Sequence, residues 1–313
     1  MRAVGIRVHG GPDALEVLDV PEVYAGPGEI RIRNQASAVN PTDVIVRNGM
    51  RAELQKKYPP PYIPGMDLAG VVDQVGEGVS TGIKVGDNVI AMVVPKSIHG
   101  AYREQIVLDQ RAVVKSPENA SYVEACTLPM NGLTARLSLD LLGLKSGQVL
   151  GVTGGPGAYG GYVIQLAKAE GLTVIADSSE GDEKLISSLG ADIIIARGEN
   201  YSEKIREHFP AGVDGLADGA LLNEHAIDAV KDGGSFTAIR GFKGSPQRDI
   251  KFTATWVTAY DCEYEKLERL RKQTEKGELT LRVADTVSPE NASEAHRRLE
   301  AGGTRGRMVI TWE

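Results

Sequence analysis

Apolar and polar residues alternate over the first third of the chain. In the segment 29–39, EIRIRNQASAV, Ile30 and Ile32 alternate with Arg31 and Arg33, the two-residue period of a strand with one buried face. The opening MRAVGIRV alternates in the same way, and segments 69–79 and 85–94 are β-branched runs bounded by Gly and Asp. Turn residues recur in HGGPD, AGPGE, YPPPYIPG and KVGDN, so this region is expected to be a barrel-like β domain of short strands. Near residue 120 the period lengthens. Segment 121–144 reads as helical, with interruptions expected at Pro129 and Gly132, and Ser121 with Glu124 predicts a capping box at its start. Strand-like and helix-like runs then take turns: QVLGVT and GYVIQLAKAEG, TVIAD and DEKLISSLG, DIIIA and YSEKIREHF, GVDGLADGA and EHAIDAVKDGG, then SFTAI. That rhythm predicts an α/β fold with a doubly wound parallel sheet. Past residue 250 it weakens into a charged amphipathic helix with Leu267 and Leu270 inward, a second helix in SPENASEAHRRLEAG, and a closing strand in GRMVITWE.

One junction in the second region carries candidate chemistry. The strand ending at Thr153 runs into Gly155-Pro156-Gly157-Ala158-Tyr159-Gly160, and a helix follows with Val163, Ile164 and Ala167 on one side. A GxGxxG between strand and helix lets backbone approach a pyrophosphate while the helix N-terminal amides point at the anion. Such a fingerprint also asks for an acid about 20 residues on, at the end of the second strand, and Asp177 stands there. A dinucleotide is the expected cofactor. Asp177 favours NADH, because a carboxylate bonds a ribose 2′-hydroxyl and repels a 2′-phosphate. Ser178, Ser179, Lys184 and Arg197 favour NADPH, as groups able to hold that phosphate. Both readings stay open on these residues alone.

Bulk properties narrow the setting. A chain of 313 residues suggests two domains. Its 35 basic and 42 acidic residues give a net charge of −7, which speaks against a nucleic-acid partner. Two cysteines, Cys126 and Cys262, cannot make a disulfide framework or a four-cysteine metal site, so a cytoplasmic setting is expected. No stretch approaches the ~20 apolar residues of a membrane span.

Several blocks in order then resemble the medium-chain dehydrogenase/reductase superfamily, in its zinc-free quinone oxidoreductase branch. They are AVNPTDVIVRNG (38–49), YIPGMDLAGVVDQVGEGV (62–79), KVGDNV (84–89), EACTLPMNGLTA (124–135), the glycine cluster, LISSLGAD (185–192) and EAHRRLEAGGTRGRMVI (294–310). The resemblance implies a GroES-like β-rich domain at 1–120, completed by 262–313, and a Rossmann domain at 121–261. It implies hydride transfer from NADPH, with NADH possible, to a quinone or an α,β-unsaturated carbonyl. Two alternatives stay open: a trans-acting enoyl reductase on carrier-bound thioesters, and a non-catalytic NADPH-binding protein of crystallin or sensor type.

The resemblance also distributes roles. Zinc-dependent relatives have a Cys where this chain has Asn40, a His-Glu pair where it has Met66-Asp67, and a four-cysteine lobe around 90–115 where it has no cysteine. No metal is therefore expected, since zinc needs thiolate or imidazole ligands. Asn40 matches a position that contacts nicotinamide or acceptor, Asp43 an orienting carboxylate, and Tyr58 a pocket residue able to donate a proton; these three are the candidate catalytic residues. Asn131 and Thr134 match a helix start facing the nicotinamide ribose. Ala158 and Tyr159 can supply backbone amides to phosphate, whereas Pro156 can only shape the turn. The Tyr159 ring is placed near cofactor or cleft, without a choice between them. His296 is expected to pack or face solvent. A homodimer is expected, with SFTAIRGF (235–242) as the pairing edge.

Overall fold

The protein is described here from a computed structural model over residues 1–312. The chain divides into two units, one built from 1–130, 260–275 and the segment from 281 onward, the other from 131–259 and 276–280.

In the first unit β1 (Arg2–Gly5) pairs with β2 (Glu16–Asp19). Strand β3 (Glu29–Ala38) keeps the alternation of its sequence, burying Ile30, Ile32 and Asn34. Helices α1 (Pro41–Asn48) and α2 (Ala52–Gln55) follow, then β4 (Asp67–Val75), β5 (Asn88–Met92), β6 (Gln105–Asp109), β7 (Val113–Lys115) and the short α3 (Tyr122–Ala125). Ser121 and Glu124 form the capping box that their spacing predicts, with the Ser121 amide donating to Glu124 at 2.9 Å.

The second unit alternates as its pattern predicts. Helix α4 (Pro129–Leu142) leads to β8 (Val149–Thr153), α5 (Ala158–Ala169), β9 (Thr173–Ser178), α6 (Glu183–Ser188), β10 (Ile193–Ala196), α7 (Tyr201–His208), β11 (Val213–Asp218), β12 (Val230–Ala238) and β13 (Lys251–Ala254). The six strands are parallel in the order β10-β9-β8-β11-β12-β13, which places the chain reversal between β8 and β11, where doubly wound sheets bind ligands. The apolar run of β8 is buried because both faces of such a sheet are covered.

The chain then returns to the first unit through α8 (Tyr264–Glu275), β14 (Val283–Val287), α9 (Ala292–Ala301) and β15 (Arg307–Thr311). Its large sheet runs β14-β15-β3-β4-β5-β7, with β6 also on β3. One core of this unit gathers Ile30, Ile32, Leu68, Val72 and Ile106. Leu267 and Leu270 are buried on α8, as expected.

Three local expectations are corrected. Gly132 does not interrupt α4, whereas the break expected at Pro129 is present between α3 and α4: Pro129 opens α4, at the position where a missing amide costs nothing. EHAIDAVKDGG is not an α-helix: a 3-10 helix over Asn223–Ala229 runs into β12. The buried Asp218 carboxylate draws in the amides of Ala220, Leu222 and Asn223, which tightens the chain there. SFTAIRGF offers no free edge, because β12 is flanked by β11 and β13; the sheet ends at β10 and β13.

Candidate active site

In the second unit the glycines each answer a different steric demand. Gly154 has φ +71°, a conformation that favours glycine. A Cβ on Gly160 would overlap the Gly154 carbonyl, and one on Gly155 would sit 2.7 Å from Ile186 and 2.9 Å from the Asp177 carbonyl. Helix α5 therefore starts hard against the loop, and the loop hard against β9. The Gly157 cap carries no side chain, so no capping side chain covers the first turn of α5 from that position. The amide of Gly157 donates to the Gly154 carbonyl at 3.0 Å. Ala158, Tyr159 and Gly160 are left to present the helix N-terminal amides, the arrangement that receives a phosphate.

Asp177 ends β9 almost fully buried. Its Oδ1 accepts the Gly155 amide at 3.1 Å and its Oδ2 accepts Arg197 Nε at 2.8 Å. Both oxygens are engaged, and a guanidinium offsets the charge. Arg197 follows β10, anchored by its amide to the Ser178 carbonyl at 2.8 Å, with its side chain half in solvent. The Ser178 hydroxyl is buried and donates to the Ser179 carbonyl, so Ser178 has no free hydroxyl. Ser179 is half-buried, and Lys184 is exposed in the first turn of α6.

Tyr159 is buried, its hydroxyl 2.7 Å from Ser138 Oγ on α4, with its ring against Gly219. Burial pushes its phenol up. The ring thus turns into the interior of the second unit. Asn131 and Thr134 lie buried near the start of α4, two turns and one turn before Ser138. Asp218, which the sequence reading did not single out, joins the ends of β8 and β11 by accepting the Thr153 hydroxyl. An acid closing the fourth strand before Gly219-Ala220 was the available signal.

The first unit holds the other candidates. Asn40 caps α1 in a capping box with Asp43: its amide donates to Asp43 Oδ2 at 2.8 Å. Its side chain donates to Asp67 Oδ2 at 2.7 Å. Asp67 Oδ1 accepts the Met130 amide at 2.6 Å. Asp43 also accepts from Gly65 and from the Tyr102 hydroxyl, both at 3.0 Å. Asn40, Asp43 and Asp67 are all fully buried. Burial raises Asp43 to about 6 and Asp67 to about 7 against these hydrogen bonds, with the Arg307 guanidinium pulling both down. Tyr102, His296 and Arg47 extend this cluster. His296 is buried, as the packing expectation has it, and is also hydrogen-bonded; solvent exposure does not describe it.

Tyr58 stands apart. It is half-buried, its carbonyl accepts the Tyr62 hydroxyl at 3.0 Å, and Lys57 Nζ lies 5.2 Å from its ring centre. Among the described residues no hydrogen bond joins Tyr58 to Asn40 or Asp43.

The donors at the zinc-ligand positions do not fit zinc. They are an amide, a thioether and a carboxylate whose two oxygens already hold an N–H each. Among the described residues no group of three or more His, Cys, Asp or Glu side chains is placed to hold a metal. No described helix is long and apolar enough to cross a membrane.

Residues 26–118 match the family model described as the alcohol dehydrogenase GroES-like domain, and residues 189–310 the one described as zinc-binding dehydrogenase. The chain is 32% identical to 2-methylene-furan-3-one reductase of Solanum lycopersicum, over 99% of this chain and 79% of that protein. It is 29% identical to the chloroplastic NADPH-dependent alkenal/one oxidoreductase of Arabidopsis thaliana, over the same shares. The solved quinone oxidoreductase of Coxiella burnetii superposes with a TM-score of 0.88 at 26% identity, covering 100% of this chain and 99% of that one.

Proposed function

The chain belongs to the medium-chain dehydrogenase/reductase superfamily, in its quinone oxidoreductase branch, and from that premise we propose that it reduces an α,β-unsaturated carbonyl or a quinone at the expense of NADPH. One observation carries the cofactor half: Asp177 is almost fully buried, each of its oxygens already accepts an N–H, and its charge is offset by Arg197. A 2′-phosphate in this position meets a guanidinium rather than a bare carboxylate. Arg197, Ser179 and Lys184 would hold that phosphate, and the first amides of α5 the pyrophosphate. Bound there, NADPH supplies the hydride.

The chain's own part in the chemistry is to meet charge on the acceptor oxygen. Hydride addition to an enone or quinone leaves that oxygen negative, and a positioned donor lowers the barrier. Tyr58 is that donor in our reading, because its phenol hydroxyl has no hydrogen-bond partner among the described residues. Asn40 and Asp43, buried and committed to each other and to Asp67, orient the start of α1 rather than touch the acceptor. For a homodimer the open edge of β13 replaces segment 235–242, and light scattering on the purified chain checks it.

The deciding experiment titrates NADPH and NADH against the wild type and Arg197→Ala, then measures NADPH oxidation over a panel of enones and quinones. We expect NADPH to bind tighter than NADH, and Arg197→Ala to lose about tenfold or more for NADPH alone. Tight NADPH binding with no turnover of any acceptor would sink the reductase reading.

A further inference from the structure

The first unit contains a line of buried hydrogen bonds whose direction can be deduced. Arg47 on α1 sends two nitrogens to the Glu300 carboxylate on α9, at 2.7 and 3.1 Å. Its Nη1 also lies 3.2 Å from His296 Nδ1. His296 Nε2 lies 3.3 Å from the Tyr102 hydroxyl, which lies 3.0 Å from Asp43 Oδ2. The Tyr102 and His296 rings meet edge to face, 5.9 Å apart. Gly65 makes room for this: a Cβ there would stand 2.7 Å from the Tyr102 backbone nitrogen.

A guanidinium can only donate. His296 Nδ1 must therefore be the bare acceptor, so the ring carries its proton on Nε2. Among the described residues that N–H has only the Tyr102 oxygen to meet, and the Tyr102 proton is then committed to Asp43. Every donor points inward, from Arg47 to Asp43. Burial, and then the Arg47 charge, hold His296 down to about 3, so it stays neutral. Arginine does not give up a proton in proteins, so the line cannot conduct protons from the surface; it can only orient.

We propose that His296 and Tyr102 are positioning residues, fixed in one tautomer and one hydroxyl rotamer, that set Asp43 and through it the Asn40 cap at the head of α1. The segment so fixed leads into the loop bearing Tyr58, and the kinetic consequence rests on the reductase reading above. The charged and titratable groups facing Asp43 are Tyr102 from its loop, Arg307 on β15 and, across the Asn40 side chain, Asp67 on β4.

The test has two independent arms on the full chain. Long-range ¹H–¹⁵N correlation, assigned with His296→Gln, should show His296 as the neutral Nε2–H tautomer, unchanged from pH 5.5 to 8. An Nδ1–H tautomer, or titration within that range, overturns the proposal. In the kinetic arm, Tyr102→Phe should lower kcat about tenfold with the KM for NADPH unchanged, and move the acid limb of kcat/KM to higher pH. His296→Gln can accept from Arg47 and donate to Tyr102, so it should keep most of kcat, whereas His296→Leu should not. Wild-type kcat and pH profile in both Tyr102→Phe and His296→Leu overturn the positioning role. If the wild type turns over no acceptor, the reductase reading falls, and the tautomer alone decides the network.

Discussion

Two nitrogen donors decide how the Asp177 carboxylate meets a nucleotide. A free acid at the end of the second strand selects NADH; this one is spent on Gly155 and Arg197. The spacing of Asp177 from the glycines was legible in sequence because it is a local count. Its pairing with Arg197 was not, since nothing in the order of residues says which side chain will turn toward it. The same scale governs two substitutions. Tyr58→Phe should lower kcat for an enone about a hundredfold, with NADPH affinity unchanged in a binding titration. Gly160→Ala forces a methyl into the Gly154 carbonyl. We expect a cost of about 1–3 kcal/mol in urea unfolding, with weaker NADPH binding, because the first turn of α5 must back away from the loop.

At the scale of elements, periodicity found the strands and most helices and missed where a side chain overrides it. The run after β11 has a helical pattern, yet Asp218 captures three successive-turn amides and the chain tightens instead. Bulk alone likewise did not tell which way Tyr159 turns on α5. Its hydroxyl ties α5 to α4 through Ser138, so the ring serves packing between helices. Tyr159→Phe should therefore cost about 1 kcal/mol of stability and leave NADPH affinity unchanged; a marked loss of affinity would place the ring beside the cofactor instead.

At the scale of the whole molecule, Asp43 and Asp67 make stability depend on pH in an unusual sense. Their folded values are raised, to about 6 and about 7, above the ordinary carboxylate range. The folded state then holds protons that the unfolded chain has released. Stability from these two groups therefore falls as pH rises from about 4 toward 7, by at most ~1.4 kcal/mol per pH unit for each group, and is flat above. Glu104, Asp192 and Asp214 are shifted the other way, and what they contribute is lost on acidifying below about pH 4. Urea midpoints should peak near pH 4, and Asp67→Asn should flatten the decline toward pH 7. None of this could be read from the sequence. Tyr102 and His296 are 194 positions apart and Arg47 and His296 are 249 apart, so no periodicity brings them together; only the return of the chain does.

That return has a consequence for how the protein is made. Strand β15 lies between β14 and β3, and Arg307 and His296 both come from the segment after residue 281. On the ribosome the chain emerges N-terminus first. The second unit, apart from residues 276–280, can close while synthesis continues. The first unit, although it begins before the second, stays open until the segment after residue 281 appears, with Asp43 and Asp67 lacking the Arg307 countercharge. Of the two units, the one begun first is thus the last to mature, and it is the one a chaperone would have to shelter longer.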